Sequence, residues 1–148
     1  KSAIQTFKRN HHHAATFGGD IRQLKESDLL RLIGDKKIRL VCGGPPCQGM
    51  STVGKGDPND PRNFLFKEFV RTVSIMKPDH ILLENVTGMV GTKNQKIVDG
   101  IIREFRALGY HLEARVLTAS HYGVPQRRRR TVFLGNRLGY KIIWPEIF

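Results

Sequence analysis

Three groups of residues in this chain have the types and spacing of a catalytic centre. The first is Cys47, set in the run GGPPCQGMS (Gly43 to Ser51) directly after an apolar strand. The two glycines allow a ligand close to the backbone, and Pro45 and Pro46 stiffen the path into the cysteine. Covalent catalysis needs a sulfur held near attack geometry, and a rigid approach supplies it. The ordinary fate of a free cysteine is to be a small buried hydrophobe. Cys42, inside the strand, fits that description, whereas the Gly, Pro and Gln neighbours of Cys47 describe an irregular loop.

The second group is Glu84, which closes the apolar run ILLE and opens ENV. A carboxylate at the mouth of an apolar strand should be partly desolvated, which favours its protonated form. An isolated glutamate there is more often a helix cap or an ion-pair member; its pairing with a cysteine at another strand end is what points to chemistry. The third group is Gln126 to Arg130, directly ahead of a strand. Alternate side chains of an extended segment share a face, so Gln126, Arg128 and Arg130 would point one way, able to bind a carbonyl oxygen or phosphates bidentately. Arg127 and Arg129 would turn to solvent or to other partners.

These groups must be brought together by the elements that carry them. The spacing of Ala3, Ile4 and Phe7 suggests the tail of a helix, and Asp20 to Ile33 a helix ended by Gly34. Ile38 to Cys42 reads as a short buried strand. Asn63 to Met76 has helical spacing and is stopped by Pro78; His80 to Glu84 is a strand. Asn94 to Leu108 is an amphipathic helix with Gly109 as its end signal, followed by strands at His111 to Leu117 and Thr131 to Leu134. Strands alternating with helices predict an α/β fold: a doubly wound, mostly parallel sheet covered on both faces. In such sheets ligands bind beyond the carboxyl ends of the strands, where Cys47 and Glu84 both lie. Thr52 to Pro61, rich in Gly, Asp, Pro and Asn, is a long loop whose place after Cys47 suggests a lid over that site, with a plain surface loop as the equally common alternative.

Composition narrows the class of partner. The chain has 148 residues, one domain's worth, and a formal net charge of +12. That excess is of the kind that neutralises phosphates, with a solvated basic surface as the plain alternative. Two cysteines in a Cys-x4-Cys spacing make neither a disulfide framework nor a zinc signature, so no metal is expected. No apolar stretch is long enough for a membrane span, and a reducing, cytoplasmic setting is the default. The three histidines His11 to His13 cannot all face one metal, and solvent exposure accounts for them.

The segments PPCQGMS, DPRNFLF, ENV and YGVPQRRRR, in that order, resemble the DNA (cytosine-5)-methyltransferase family over roughly Lys1 to Gly135. The resemblance implies a Rossmann-like, S-adenosylmethionine-dependent methyltransferase fold acting on double-stranded DNA. It implies that Cys47 adds to C6 of cytosine, that Glu84 protonates or hydrogen-bonds N3, and that Arg128 and Arg130 hold the O2 of an extruded base and nearby phosphates. Asn85 resembles the residue that braces the Pro-Cys loop; Ser51 and Arg62 would touch phosphate, and Pro46, Gln48 and Gln126 would support the loop. For the methyl donor, Asp20 with Ile21 resembles the adenine-contacting pair, Pro45 matches a proline near the cofactor, and Leu65 stands where a hydrophobic contact is expected.

The family's opening glycine-rich strand and loop, its ribose-binding acid and its target-recognition region have no counterpart in these 148 residues. The expectation is therefore a partial catalytic domain, inactive alone, which a complementing chain or flanking sequence would complete. Transfer RNA is the alternative substrate, since one branch of the same family methylates it, and a non-catalytic nucleic-acid-binding remnant is the alternative role.

Overall fold

A computed structural model describes residues 2–46, 65–87 and 95–148, with the backbone alone over 95–97. The chain divides into two compact units, 1–37 and 38–148. The first holds α1 (Ser2–Asn10), a 3₁₀ turn (Ile21–Gln23) and α2 (Glu26–Ile33). The single helix expected over Asp20 to Ile33 is thus split. Leu24 and Lys25 are extended, and Asp20 caps the short turn by accepting from the Arg22 amide at 3.0 Å. α2 then starts with Glu26 and Asp28 in its first turn, which complement the helix dipole, and stops at Gly34, whose φ of 57° suits a residue without a side chain.

The second unit is a four-stranded sheet with two helices. In chain order it runs β1 (Leu40–Gly43), α3 (Leu65–Met76), β2 (His80–Val86), α4 (Gln95–Ala107), β3 (His111–Thr118) and β4 (Arg129–Asn136). The sheet order is β1-β2-β4-β3. β1 and β2 are parallel, whereas β4 is antiparallel to both β2 and β3. Three strands therefore run the same way, as the alternation of strands and helices predicts. Two of the three hydrogen-bonded pairs are nonetheless antiparallel, because β3 leaves a gap beside β2 and the chain turns back to fill it with β4. The expectation of a mostly parallel sheet holds for strand direction and fails for pairing.

The register sorts side chains onto two faces. Val41, Gly43, Ile81, Leu83, Leu112 and Phe133 share one face, and there they meet Phe69 and Val73 of α3 and Val98, Ile101 and Phe105 of α4. Phe105 is the hub, in edge contact with Phe66, Phe69 and Tyr110. Gly43 is required by this packing, since a Cβ on it would lie 2.8 Å from the Phe69 ring. Both helices of this unit thus lie on one face, rather than one on each.

On the other face Leu40 is 51% exposed and Cys42 is exposed. This corrects two expectations, the buried strand and the buried Cys42. β1 pairs only with β2 among the described residues, and an apolar sequence cannot by itself show which side of a strand is covered. At the far side, Trp144 covers this face over β3. Its indole donates to Glu113 at 2.8 Å, and the Arg115 guanidinium lies 4.9 Å from the ring centre. That bond holds the Glu113 carboxyl below the usual range. No helix among the described residues is long and apolar enough to cross a membrane.

Candidate active site

The carboxyl ends of β1 and β2, the end of β3 and the start of β4 meet at one edge of the sheet. Pairing places Val86 opposite Arg130 and Asn85 opposite Thr131, so the sheet itself delivers the arginine segment to the end of β2. Glu84 and Arg130 emerge on the same face. The Arg130 Nε lies 2.8 Å from Glu84 Oε1, and Arg128 Nη2 reaches the same oxygen at 3.5 Å. Arg128 lies just ahead of β4 and still shares that face, as the alternation of the segment predicts. Arg127 and Arg129 are exposed and have no ion-pair partner among the described residues. Gln126 is exposed too, and only its backbone is tied down, through an amide bond to the Val124 carbonyl at 2.7 Å.

Glu84 itself departs from expectation. Its side chain keeps 39% exposure, and two guanidiniums are set against it instead of an apolar wall. Its second oxygen points towards Gly44, where an added Cβ would sit 3.3 Å from Oε2. Glycine at that position keeps the carboxylate accessible.

On the opposite face of β2 the buried Asn85 uses both ends of its amide. Nδ2 donates to the Pro45 carbonyl at 2.9 Å, and Oδ1 accepts from the Val86 amide at 2.8 Å. The loop after β1 is thereby fixed to the end of β2, two residues before Cys47. Thr131, fully buried, donates its hydroxyl to the Val86 carbonyl at 3.3 Å and completes the link from β4. Sequence reasoning did not single out Thr131; a hydroxyl inside the apolar run TVFL was the available signal. Pro46 is exposed at the end of the described loop, and Leu65 opens α3. Cys47, Gln48, Ser51 and Arg62, with the loop Thr52 to Pro61, lie outside the described residues.

In the unit 1–37, the Arg22 side chain and its backbone amide both bond the Asp20 carboxylate and hold its pKa down at about 2. Asp20 is therefore a charged acceptor at neutral pH, and the next residue, Ile21, presents an exposed apolar side chain. An acceptor beside an apolar surface fits an adenine amine and ring.

Comparison with known proteins matches residues 1–146 to the model of the C-5 cytosine-specific DNA methylases. The chain is 40% identical over 144 residues to the type II methyltransferase M1.HphI of Haemophilus parahaemolyticus, covering 95% of this chain and 39% of that protein. Among solved structures it resembles a prophage-encoded E. coli protein described as a DNA modification methyltransferase. That match has a TM-score of 0.74 and 31% identity, over 90% of this chain and 37% of the other. The S. pombe Dnmt2 methyltransferase superimposes with a TM-score of 0.67 at 27% identity, over 97% and 42% of the two chains. The chain thus spans about two fifths of the length of each of these three proteins.

Proposed function

Because the chain belongs to the C-5 cytosine-specific DNA methylase family, we propose that it carries the residues that methylate carbon 5 of cytosine in double-stranded DNA through a covalent Cys47 adduct. The observation that supports this reading is the double bracing of one strand end. Arg130 and Arg128 set the Glu84 carboxylate, and Asn85 next to it holds the Pro45 carbonyl of the loop that leads to Cys47.

The chemistry explains the residue types. Carbon 5 of cytosine is a poor nucleophile. Bond formation between the Cys47 sulfur and C6 pushes electrons toward N3 and leaves C5 enamine-like. Glu84 meets the charge developing at N3 with a proton or hydrogen bond and accepts from the exocyclic amine. Arg128 and Arg130 supply donors for O2 and for phosphate, and they orient Glu84 until the base arrives. S-adenosylmethionine, when bound, supplies the electrophilic methyl group. Asp20 and Ile21 would take its adenine. Loss of the C5 proton to a base or water lets the C5–C6 double bond re-form and expels the Cys47 thiolate.

The target base must leave the helix stack to reach such a pocket, at a cost of about a few kcal/mol. A +12 chain offsets part of that through phosphate contacts. The isolated chain is expected to be inactive, since it spans 39% of the length of M1.HphI.

The test uses a duplex carrying 5-fluorocytosine with S-adenosylmethionine present; once methylated, C5 bears fluorine and has no proton to lose, so the adduct is trapped. The enzyme is a chimera in which this chain replaces the matching segment of M1.HphI. A denaturant-resistant protein–DNA complex is expected, and Cys47→Ser should abolish it. Trapping that survives Cys47→Ser, or that occurs on transfer RNA and not on the duplex, would overturn the reading.

A further inference from the structure

The end of the sheet opposite Glu84 carries a second basic surface. β2 alone takes the chain about 13 Å from His80 to Glu84 at about 3.3 Å per residue, so the two ends cannot share one ligand group. Arg39, Lys77 and Arg137 gather at this far end, and Lys141 closes the turn that follows β4. Arg137 is tied to this end by its amide, which donates to the Asp79 carbonyl at 3.1 Å, and by a bond from its Nη1 to the Lys77 carbonyl at 3.3 Å. Arg39 is paired with the buried Asp79 carboxylate at 3.3 Å. The ammonium groups of Lys77 and Lys141 have no acidic partner among the described residues.

A second, independent feature is the turn that follows β4. The buried Asn136 spends its whole side chain on it. Oδ1 accepts from the Leu138 and Tyr140 amides at 3.0 and 3.1 Å, and Nδ2 donates to the Tyr140 carbonyl at 2.8 Å. Gly139, at φ 76°, allows the tight path. The product of this bracing is an outward-facing Tyr140, 64% exposed, between Arg137 and Lys141. A rigid turn that displays an exposed aromatic hydroxyl loses little entropy on binding. Arg, Lys and Tyr are also residue types that contact DNA phosphates without reading sequence.

We propose that the turn Asn136–Lys141, with Lys77 and Arg39 beside it, is a second DNA-contacting surface that grips the sugar–phosphate backbone of a duplex remote from the reacting cytosine. The choice of DNA among polyanions rests on the family reading above; the existence of the surface does not.

The experiment measures binding of the chain to a duplex of only dA and dT, which offers no cytosine, by fluorescence anisotropy across a salt series. Each phosphate contact contributes about 0.9 to the slope of log affinity against log salt, so the double variant Lys77→Gln/Lys141→Gln should flatten that slope by about 1.8. Tyr140→Phe, which keeps the ring and removes the hydroxyl, should weaken binding severalfold at constant salt. An unchanged slope in the double variant, or single-stranded dT displacing the duplex more readily than duplex does, overturns the proposal. These readouts involve no cytosine and no Cys47 chemistry. Loss of 5-fluorocytosine trapping would count against the proposed reaction alone, and an unchanged slope against this surface alone.

Discussion

β2 has a carboxylate and arginines at each end, and the two ends use them differently. At the carboxyl end the Glu84 carboxylate is met by Arg130 and Arg128 and keeps 39% side-chain exposure. At the amino end the Asp79 side chain is 4% exposed and pairs with Arg39. The Asp79 backbone is also tied on both sides, its amide to the Ile38 carbonyl at 3.2 Å and its carbonyl to the Arg137 amide. Next to it, Tyr110 donates to the Pro78 carbonyl at 2.6 Å, and burial raises the pKa of that phenol. A buried, backbone-tied carboxylate fixes where strands start and has no room for a ligand. An exposed one gripped only by guanidiniums can exchange those partners for a substrate. Accessibility, more than the presence of an acid–arginine pair, separates a site from a joint.

The sharpest way to break the contrast is to remove charge at the open end. Glu84→Gln keeps the shape and loses the group that meets charge at N3. In the M1.HphI chimera it should slow 5-fluorocytosine trapping by about 10²–10⁴-fold. The same change should move the unfolding free energy by no more than about 0.5 kcal/mol, as for an exposed substitution. A Glu84→Gln protein that traps at the parental rate would show that the open carboxylate is as structural as the buried one.

The closed end should respond in the opposite sense. Arg39→Ala takes away the cation 3.3 Å from the buried Asp79 carboxylate. The expected loss of stability is about 1–3 kcal/mol, read from the urea midpoint, and Asp79→Asn added to it should recover part of that loss. If Arg39→Ala left the midpoint unchanged, the Arg39–Asp79 pair would be no more than a surface contact.

Why one end was readable in the sequence and the other was not follows from the range of the interactions. Cys47, Glu84 and the arginine segment sit at strand ends in a run of alternating strands and helices, and the spacing of apolar residues is a local signal. The alternation that sets Arg128 and Arg130 on one face is equally local, and both arginines do reach Glu84. Asp79, Asn136 and Trp144 act over longer range or through backbone groups. Trp144 finds Glu113, thirty-one residues away, and Asn136 closes a turn through amides that any residue would offer. Neither leaves a pattern in composition or period. The insertion of β4 between β2 and β3 and the exposed face of β1 depend on which neighbours the strands meet, and no strand's own sequence records that.

The smallest predicted effect concerns a third carboxylate–arginine pair, intermediate between the two. Asp20 and Arg22 lie two residues apart, with side chains 36% and 60% exposed, and the pair caps one short turn. The pKa of Asp20 is lowered from 3.8 to about 2, chiefly by the Arg22 side chain and then by its backbone amide. A carboxylate whose pKa is depressed on folding adds stability that is fully present above its unfolded pKa and is lost as pH falls through the folded one. The Asp20 contribution should therefore fade between pH 3.8 and about 2 and be constant above that window. NMR titration of the Asp20 carboxyl carbon should give a midpoint near 2, and Arg22→Ala should return it toward 3.8. A midpoint that stays low without Arg22 would assign the depression to some other group. It would also remove this exposed pair as the reference between Glu84, which is open to exchange, and Asp79, which is not.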